Sequence, residues 1–594
     1  MSRFSVRAKF IFEHDRKFFA RGVSYGPFAP NSRGERFPEP ARAACDLKLM
    51  SELGANVIRT YYPPPPWLCE MAADTGLLFL AGIPWPSHMA FLDSRELRRE
   101  IRNTVSGAVS EMRQFSKSIF AYTLGNEIRA DIVRWHGPRA VSRFLAELYD
   151  IGKNLDPESL FTYSNYPSTE YLDLGFLDFI SFNVYLHREI DFRRYLDHLL
   201  AITSDRPLLL AESGMDAIRE GENNQARLLS WQSRAAFLAG VSGFIVFSFT
   251  DEWFTGGAAI SDWAFGLVTA GRRRKSAFDA VKCVFSGPIP PPLMKCPSVS
   301  IVVAAFNAAK TIGECLQSLE HLAYPDYEII VVDDGSADGS ARIADAAGVR
   351  RITIEHSGLA CARNIGIRAA RGEIVAFIDA DASADRDWLS HLVETMSDRD
   401  AAAAGGPNLA PSANSALARA LSLAPGGPRE VRAGDGLAQL CGCNMAIRKS
   451  ALEAIGGFDP LFTTAGDDVD LSIRLQNRGE TLAHAAGAVV LHRRRATISG
   501  YLAQQRGYGA GEGLLSRKYP TRNGAVLYHD LTWRSRWLGG ARIYHGALGR
   551  GLFQSLYAAD ELPIALQTAL DARWVAISIA LAFAGIAAIG LGVL

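Results

Sequence analysis

Through the first 285 residues, short apolar runs alternate with longer amphipathic segments. The runs are Phe19–Ser24, Asn56–Tyr61, Leu77–Ile83, Ile119–Leu124, Leu160–Ser164, Phe179–Asn183, Pro207–Ala211 and Phe244–Phe249. Runs this short predict strands, and the segments between them have helical periodicity. Eight strands, most followed by a helix, predict a closed (β/α)8 barrel, an architecture that takes about 250 residues. Ala235–Phe249 is uncharged but too short to cross a bilayer, and Gly240 and Gly243 break it. It reads as a helix end followed by the last barrel strand.

The rhythm changes after Ser286-Gly-Pro-Ile-Pro-Pro-Pro292. Proline fixes φ and removes donors, so this stretch predicts an extended linker. Beyond it come the strand Val299–Ala305, a helix from about Lys310, and the strand Glu328–Val332 running into an acidic turn. That order predicts an open α/β domain with a largely parallel sheet. Residues 520–570 mix Trp, Tyr and Phe with Arg and Gly, a composition suited to a membrane–water interface or to an amphipathic domain edge. Trp574–Leu594 carries no charge, and its 21 residues would span about 30 Å as a helix. This predicts a C-terminal transmembrane helix. Arg534, Arg536, Arg542, Arg550 and Arg573 precede it, which predicts that the upstream domains lie on the cytoplasmic face of the (inner) membrane. A truncated multi-span protein is the alternative to a single span.

Composition narrows the function classes. The 63 basic and 63 acidic residues cancel, and no common nucleic-acid-binding motif is present, so nucleic acid is not an expected partner. The N-terminus lacks the apolar core of a secretory signal. Eight cysteines are scattered, with Cys441-Gly-Cys443 the single close pair, a pattern that predicts neither a disulfide framework nor a zinc site.

Two sets of acidic residues carry candidate chemistry. Leu-Gly-Asn-Glu ends at Glu127 and Leu-Leu-Ala-Glu at Glu212, each after an apolar strand and at the strand end that carries active sites in β/α barrels. Retaining glycoside hydrolysis needs two such carboxyl groups, one as nucleophile and one as acid/base. After the linker, Val331-Val-Asp-Asp-Gly-Ser336, Asp379-Ala-Asp381 and Gly466-Asp-Asp468 form the second set. Sugars linked to diphosphate need a divalent cation at the leaving group, and carboxylates suit Mg2+ or Mn2+.

Residues 15–255 resemble the catalytic barrel of glycoside hydrolase family 2 or a near relative in its clan. Phe18-Phe-Ala-Arg-Gly-Val-Ser24, Gly54-Ala-Asn-Val-Ile-Arg-Thr60 and Leu124-Gly-Asn-Glu127 carry the likeness. It implies Glu127 as acid/base and Glu212 as nucleophile. Asn126 would hold the sugar 2-hydroxyl, Arg59 and Tyr185 would orient the nucleophile, and Trp253 would stack on a sugar ring, with Trp85 a weaker candidate. The β-sandwich domains that precede that family's barrel are absent from this chain, which leaves the substrate open. A barrel that only binds glycan is the alternative.

Residues 297–475 resemble glycosyltransferase family 2, which has the GT-A fold. Pro297-Ser-Val-Ser-Ile-Val-Val-Ala-Ala-Phe-Asn307, the 331–336 turn and Gly358-Leu-Ala-Cys-Ala-Arg-Asn364 carry this likeness. It implies a nucleotide-sugar donor, a glycan or glycolipid acceptor, and Mg2+ or Mn2+ as cofactor. Asp333, Asp334, Arg363 and Asp379 would serve the nucleotide-sugar, Asp381 the metal, and Asp468 would be the general base. Asp467 stands where that family more often has Glu, and Gln504-Gln-Arg-Gly-Tyr508 lacks the Trp of the processive Gln-x-x-Arg-Trp motif. His492 is a candidate for the diphosphate or the metal. The expected organisation is therefore a barrel over 1–285, a linker over 286–296, a transferase domain over 297–520, an interfacial region over 521–573 and a transmembrane helix over 574–594. The expected function is a bifunctional enzyme that transfers sugar from a nucleotide donor and hydrolyses or transglycosylates a β-linked product.

Overall fold

In the computed structural model, the described residues are 3–519, apart from 204, 294, 412–414, 424–430 and 434–435. Eight parallel strands close the barrel: β1 (Ala20–Ser24), β2 (Val57–Thr60), β3 (Leu78–Gly82), β4 (Ile119–Asn126), β5 (Leu160–Asn165), β6 (Ile180–Asn183), β7 (Leu208–Ser213) and β8 (Gly243–Val246). Strand β8 pairs with β1 from Gly243↔Ala20 to Val246↔Val23, which completes the ring. Most strand residues are fully buried because one face packs into the barrel and the other against the helices. A small antiparallel sheet over residues 4–17 covers the N-terminal end of the barrel. Its Phe4 packs edge-on against Phe18 and Phe120, with ring centroids 5.0 and 5.3 Å apart. This aromatic plug seals one end and leaves the other for chemistry.

No helix or strand occurs among the described residues between Phe285 and Val299, where the prolines cluster. The second domain is built on β9 (Val299–Ala305), β10 (Tyr327–Asp333), β11 (Arg350–Thr353), β12 (Ile374–Asp379), β13 (Ala403–Gly405), β14 (Asn444–Arg448) and β15 (Leu482–His484). Their order in the sheet is β11-β10-β9-β12-β14-β13-β15. Strand β14 runs antiparallel to β12 and β13, and the remaining pairs are parallel. Apolar clusters on both faces of the sheet give this domain its own core.

The two domains meet at the sealed end of the barrel. Lys17 reaches Asp385 and Asp387 at 2.5 and 2.7 Å, and buried His391 bonds through Nδ1 to the Leu238 carbonyl at 2.9 Å. Gly240 lies so near Gly487 that a Cβ on it would fall 2.6 Å from the Gly487 Cα. Lys17 precedes β1, and Leu238 and Gly240 precede β8, so these contacts lie opposite the strand ends that carry Glu127 and Glu212.

The expected membrane span needs correction. Among the described residues no helix is long and apolar enough to cross a membrane. The 21-residue helix Ile498–Lys518 has sufficient length, but Arg506, Glu512, Arg517, Lys518 and five glycines interrupt it. The single span expected at 574–594 and the interfacial region at 521–573 lie outside the described residues. The described residues therefore supply no membrane-crossing helix to support the expected location on a membrane face.

Candidate functional sites

In the barrel, β4 ends at Asn126, and Glu127 follows with φ 44°, a left-handed conformation costly for a non-glycine residue. The Glu127 N–H donates to the Ser164 carbonyl at 3.0 Å, holding that turn against β5. Beneath it, Trp85 donates through Nε1 to the Leu124 carbonyl at 2.7 Å. Its indole is 3.1 Å from where a Cβ on Gly125 would sit, so position 125 has no room for a side chain.

Four strands converge on the two glutamates. Arg59, at the end of β2, is buried and forms an ion pair with Glu212 of β7. It also donates to the Ala211 carbonyl at 3.0 Å and to Asn126 Oδ1 at 2.7 Å. Asn183, the last residue of β6, donates to Glu127 Oε1 at 2.8 Å and to Asn126 Oδ1 at 3.2 Å. Glu212 accepts two further hydrogen bonds, from Tyr61 at 2.8 Å and Tyr185 at 2.7 Å. One connected network thus runs Glu212–Arg59–Asn126–Asn183–Glu127.

The network treats its carboxyl groups unequally. Glu212 receives one guanidinium and two phenol donors, an environment matched to a carboxylate, which accepts and cannot donate. Burial and the negative charge of Glu212 push Glu127 up to about 7, against which the Asn183 hydrogen bond and Arg59 act only partly. Burial and Glu212 also raise the Tyr185 phenol, which keeps it a donor. Trp253 is half-buried above this pair, edge-on to Tyr61 with centroids 5.1 Å apart, and tilted toward the partly exposed Trp263 at 6.2 Å.

The transferase site forms where strand register aligns three strand ends. Ala305 of β9 faces Asp333 of β10, and Ala304 faces Asp379 of β12, so acidic residues 46 apart in the chain share one sheet edge. Asp333 accepts from the Ser336 N–H at 3.1 Å. Asp334 accepts from the Ser357 and Gly358 N–H groups at 2.7 and 3.0 Å and pairs with His356 at 2.9 Å. The His356 ring stacks on half-exposed Phe306 with centroids 4.1 Å apart.

Buried Arg363 joins separate parts of this site. It pairs with Asp467 at 2.5 Å and Asp379 at 2.9 Å and donates to the Gly442 carbonyl at 2.9 Å. Its terminal nitrogens are thus committed to protein groups. The N–H of the same Gly442 donates to Asp468 Oδ2 at 2.9 Å. Burial and the charge of Asp467 raise Asp468 to about 6. Burial acts to raise Asp381 as well, but the His492 Nε2 contact at 2.9 Å and the charges of His492 and Arg495 outweigh it, and its pKa is lowered. Asp379 and Asp381 offer carboxylate oxygens and His492 an imidazole nitrogen, a donor set that fits Mg2+ or Mn2+.

The glycosyl transferase family 2 profile matches residues 300–456. The chain is 31% identical over 207 residues to glycosyltransferase AglE of Haloferax volcanii, covering 33% of this chain and 67% of that protein. The chain belongs to glycosyl transferase family 2. The putative glycosyltransferase EpsH of Bacillus subtilis is 41% identical over 110 residues, 18% of this chain and 32% of EpsH. The family 2 chain thus spans between about a third and two thirds of these two relatives. Among solved structures, Lactobacillus rhamnosus beta-glucuronidase matches with a TM-score of 0.43 and 19% identity, covering 49% of this chain and 54% of that one. The closed barrel joined to the family 2 domain is the architecture seen here.

Several site residues carry no local sequence signal. Tyr61 and Asn183 lie at strand ends, and only barrel closure brings them to Glu212 and Glu127. Burial raises the Tyr508 phenol, as do Cys441, Cys443, Asp468 and Asp379 of the transferase site. Its place in Gln504-Gln-Arg-Gly-Tyr508, the segment nearest to the processive motif, was the available hint.

Proposed function

We propose that this protein both builds and cleaves or rearranges a β-linked glycan. The family 2 domain transfers sugar from a nucleotide-sugar donor, a UDP-sugar in our reading, with inversion. The barrel acts as a retaining β-glycosidase or transglycosylase. Exopolysaccharide or β-glucan assembly is the setting that suits an enzyme with both capacities. The observation that carries the reading is the single network joining Glu127 to Glu212, in which one carboxyl titrates near about 7 and the other receives three strong donors.

In the barrel, Glu212 attacks the anomeric carbon while protonated Glu127 gives its proton to the departing oxygen. Arg59, Tyr61 and Tyr185 hold the attacking carboxylate in place, and Asn126 is positioned for the sugar 2-hydroxyl. Glu127 then takes a proton from the incoming water or sugar hydroxyl, which releases the sugar from Glu212. Trp253 offers an aromatic face to the ring.

In the transferase site, Asp468 removes the proton from the acceptor hydroxyl as that oxygen attacks. A titration near about 6 suits a base operating around neutrality. Gly442 and Val469 N–H groups orient its two oxygens. Asp333, Asp334 and the Phe306–His356 stack form the floor on which the nucleoside would lie. Asp379 and Asp381 would hold the divalent cation, which when bound neutralises the departing diphosphate.

The test has two arms. A panel of labelled UDP-sugars with Mn2+ should give product with at least one donor, and Asp468→Asn should abolish it. A 2-deoxy-2-fluoro β-glycoside should leave a covalent sugar on Glu212, read by peptide mass. Absence of transfer with every nucleotide-sugar would contradict the first activity, and absence of label on Glu212 the second.

A further inference from the structure

The Cys443 thiol plays no part in the reactions above. The residue lies on the turn before β14, 2% exposed, with its Sγ 3.5 Å from Cys441 Sγ and 3.2 Å from Asn408 Oδ1. His492 Nδ1 approaches the same sulfur at 3.8 Å. A carboxylate oxygen of Asp379, the Cys443 sulfur and a His492 nitrogen all lie within 4.8 Å of one another.

We propose that Asp379, Cys443 and His492 form a binding site for a thiophilic divalent cation of the zinc class, overlapping the oxygen-lined position at Asp379 and Asp381. Zinc bonds sulfur at about 2.3 Å and nitrogen or oxygen at about 2.0–2.2 Å. Donor atoms around one tetrahedral ion are therefore roughly 3.3–3.8 Å apart, and modest side-chain movement closes the observed triangle onto an ion.

The orientation of His492 supports this assignment. Its Nε2 faces Asp381 at 2.9 Å, so a proton there leaves the Nδ1 lone pair directed toward Cys443. A carboxylate fixing the far nitrogen of a ligating histidine is a recurrent arrangement around zinc. Asp381 would then orient the ligand for a zinc-class ion, whereas for Mg2+ or Mn2+ it would be a ligand itself. Thiolate donors select the softer metal, and oxygen donors the harder one.

An ion in this position would take an oxygen of Asp379 and draw Cys443 toward it. The preceding residue, Gly442, donates to Asp468 and accepts from Arg363, so the same movement reaches the proposed base. Zn2+ should therefore inhibit transfer in competition with Mn2+, and Cys443→Ser should relieve that inhibition.

Co2+ titrated into the full chain is the direct probe, because thiolate ligation gives a near-ultraviolet charge-transfer band whether or not the enzyme turns over. The expected result is one such band, reversed by Zn2+, lost in Cys443→Ser and His492→Gln, and retained in Cys441→Ser. Asp381→Asn should keep the band and weaken Co2+ binding by about 10–100-fold. Absence of the band from the wild-type chain would overturn the proposal, a result that no variant's folding can influence. Persistence of the band in Cys443→Ser would overturn it equally.

Discussion

The barrel and transferase sites solve opposite electrostatic problems. In the barrel, one buried guanidinium answers one carboxylate, while the second carboxyl is pushed up to about 7 by burial and by that carboxylate. Its charges come close to balance within the protein. In the transferase site, Asp379, Asp467 and Asp468 crowd around one buried guanidinium, Arg363, and Asp381 has His492 and the more distant Arg495 beside it. That surplus of negative charge is what a divalent cation and a polar donor would offset. The difference teaches that buried carboxylates in one chain can be balanced by internal partners or gathered into a surplus that an ion from outside would offset.

Substitutions can break this comparison. Removing the proposed nucleophile should have the largest effect: Glu212→Gln should lower glycoside cleavage by on the order of 10^4-fold or more while leaving sugar transfer intact. Steady-state assays of both activities on one preparation would check this. Asp468→Asn should do the reverse, lowering transfer by about 10^2–10^4-fold with barrel turnover unchanged. A parallel loss of both activities would contradict the separation of the sites.

Arg59→Met tests the internal balance. It leaves Glu212 buried without its countercharge, at a cost of about 3–5 kcal/mol read by denaturant unfolding. The Tyr61 and Tyr185 hydrogen bonds remain, so a smaller loss would mean that they carry more of the burden.

The pH dependence sharpens the contrast. In the proposed mechanism Glu127 acts as acid only when protonated, so cleavage should fall as pH rises through about 7. Its folded pKa lies above the ordinary 4.5, so the folded chain holds the extra proton between these values. The associated stability is full below 4.5 and lost as pH rises through about 7. Glu127→Gln should flatten that part of the melting-temperature profile. The smallest effect belongs to the domain junction. Lys17→Ala removes the contact with Asp385 and Asp387, at the end of the barrel opposite Glu127 and Glu212, and should leave barrel turnover unchanged in the same assays.

Much of the fold was legible because strand and helix periods are local properties. Seven of the eight barrel strands match the apolar run that predicts them to within two residues at each end, and the eighth stops three residues short of its run, since a strand buried on both faces reads as a nearly continuous apolar stretch. The acidic strand ends were legible for a related reason, as a carboxylate directly after such a run stands out. What joins them was not. Asn183 and Glu127 are 56 residues apart, and Arg363 and Asp467 are 104 apart. Neither pair leaves a periodic trace. The Cys441-Gly-Cys443 pair reads as unremarkable in the chain because its partners, His492 and Asp379, come from other strands. The expected C-terminal span fell on residues whose character local hydropathy alone suggested.

The central claim is that both sites act on one glycan even though the barrel mouth opens away from the domain junction. The most direct measurement is the size and linkage profile of products from a nucleotide-sugar donor, comparing the full wild-type chain with Glu212→Gln. The account predicts a shift in chain length or linkage with the rate of donor consumption unchanged. Identical profiles would contradict it and leave the barrel to act on a glycan that this transferase does not make.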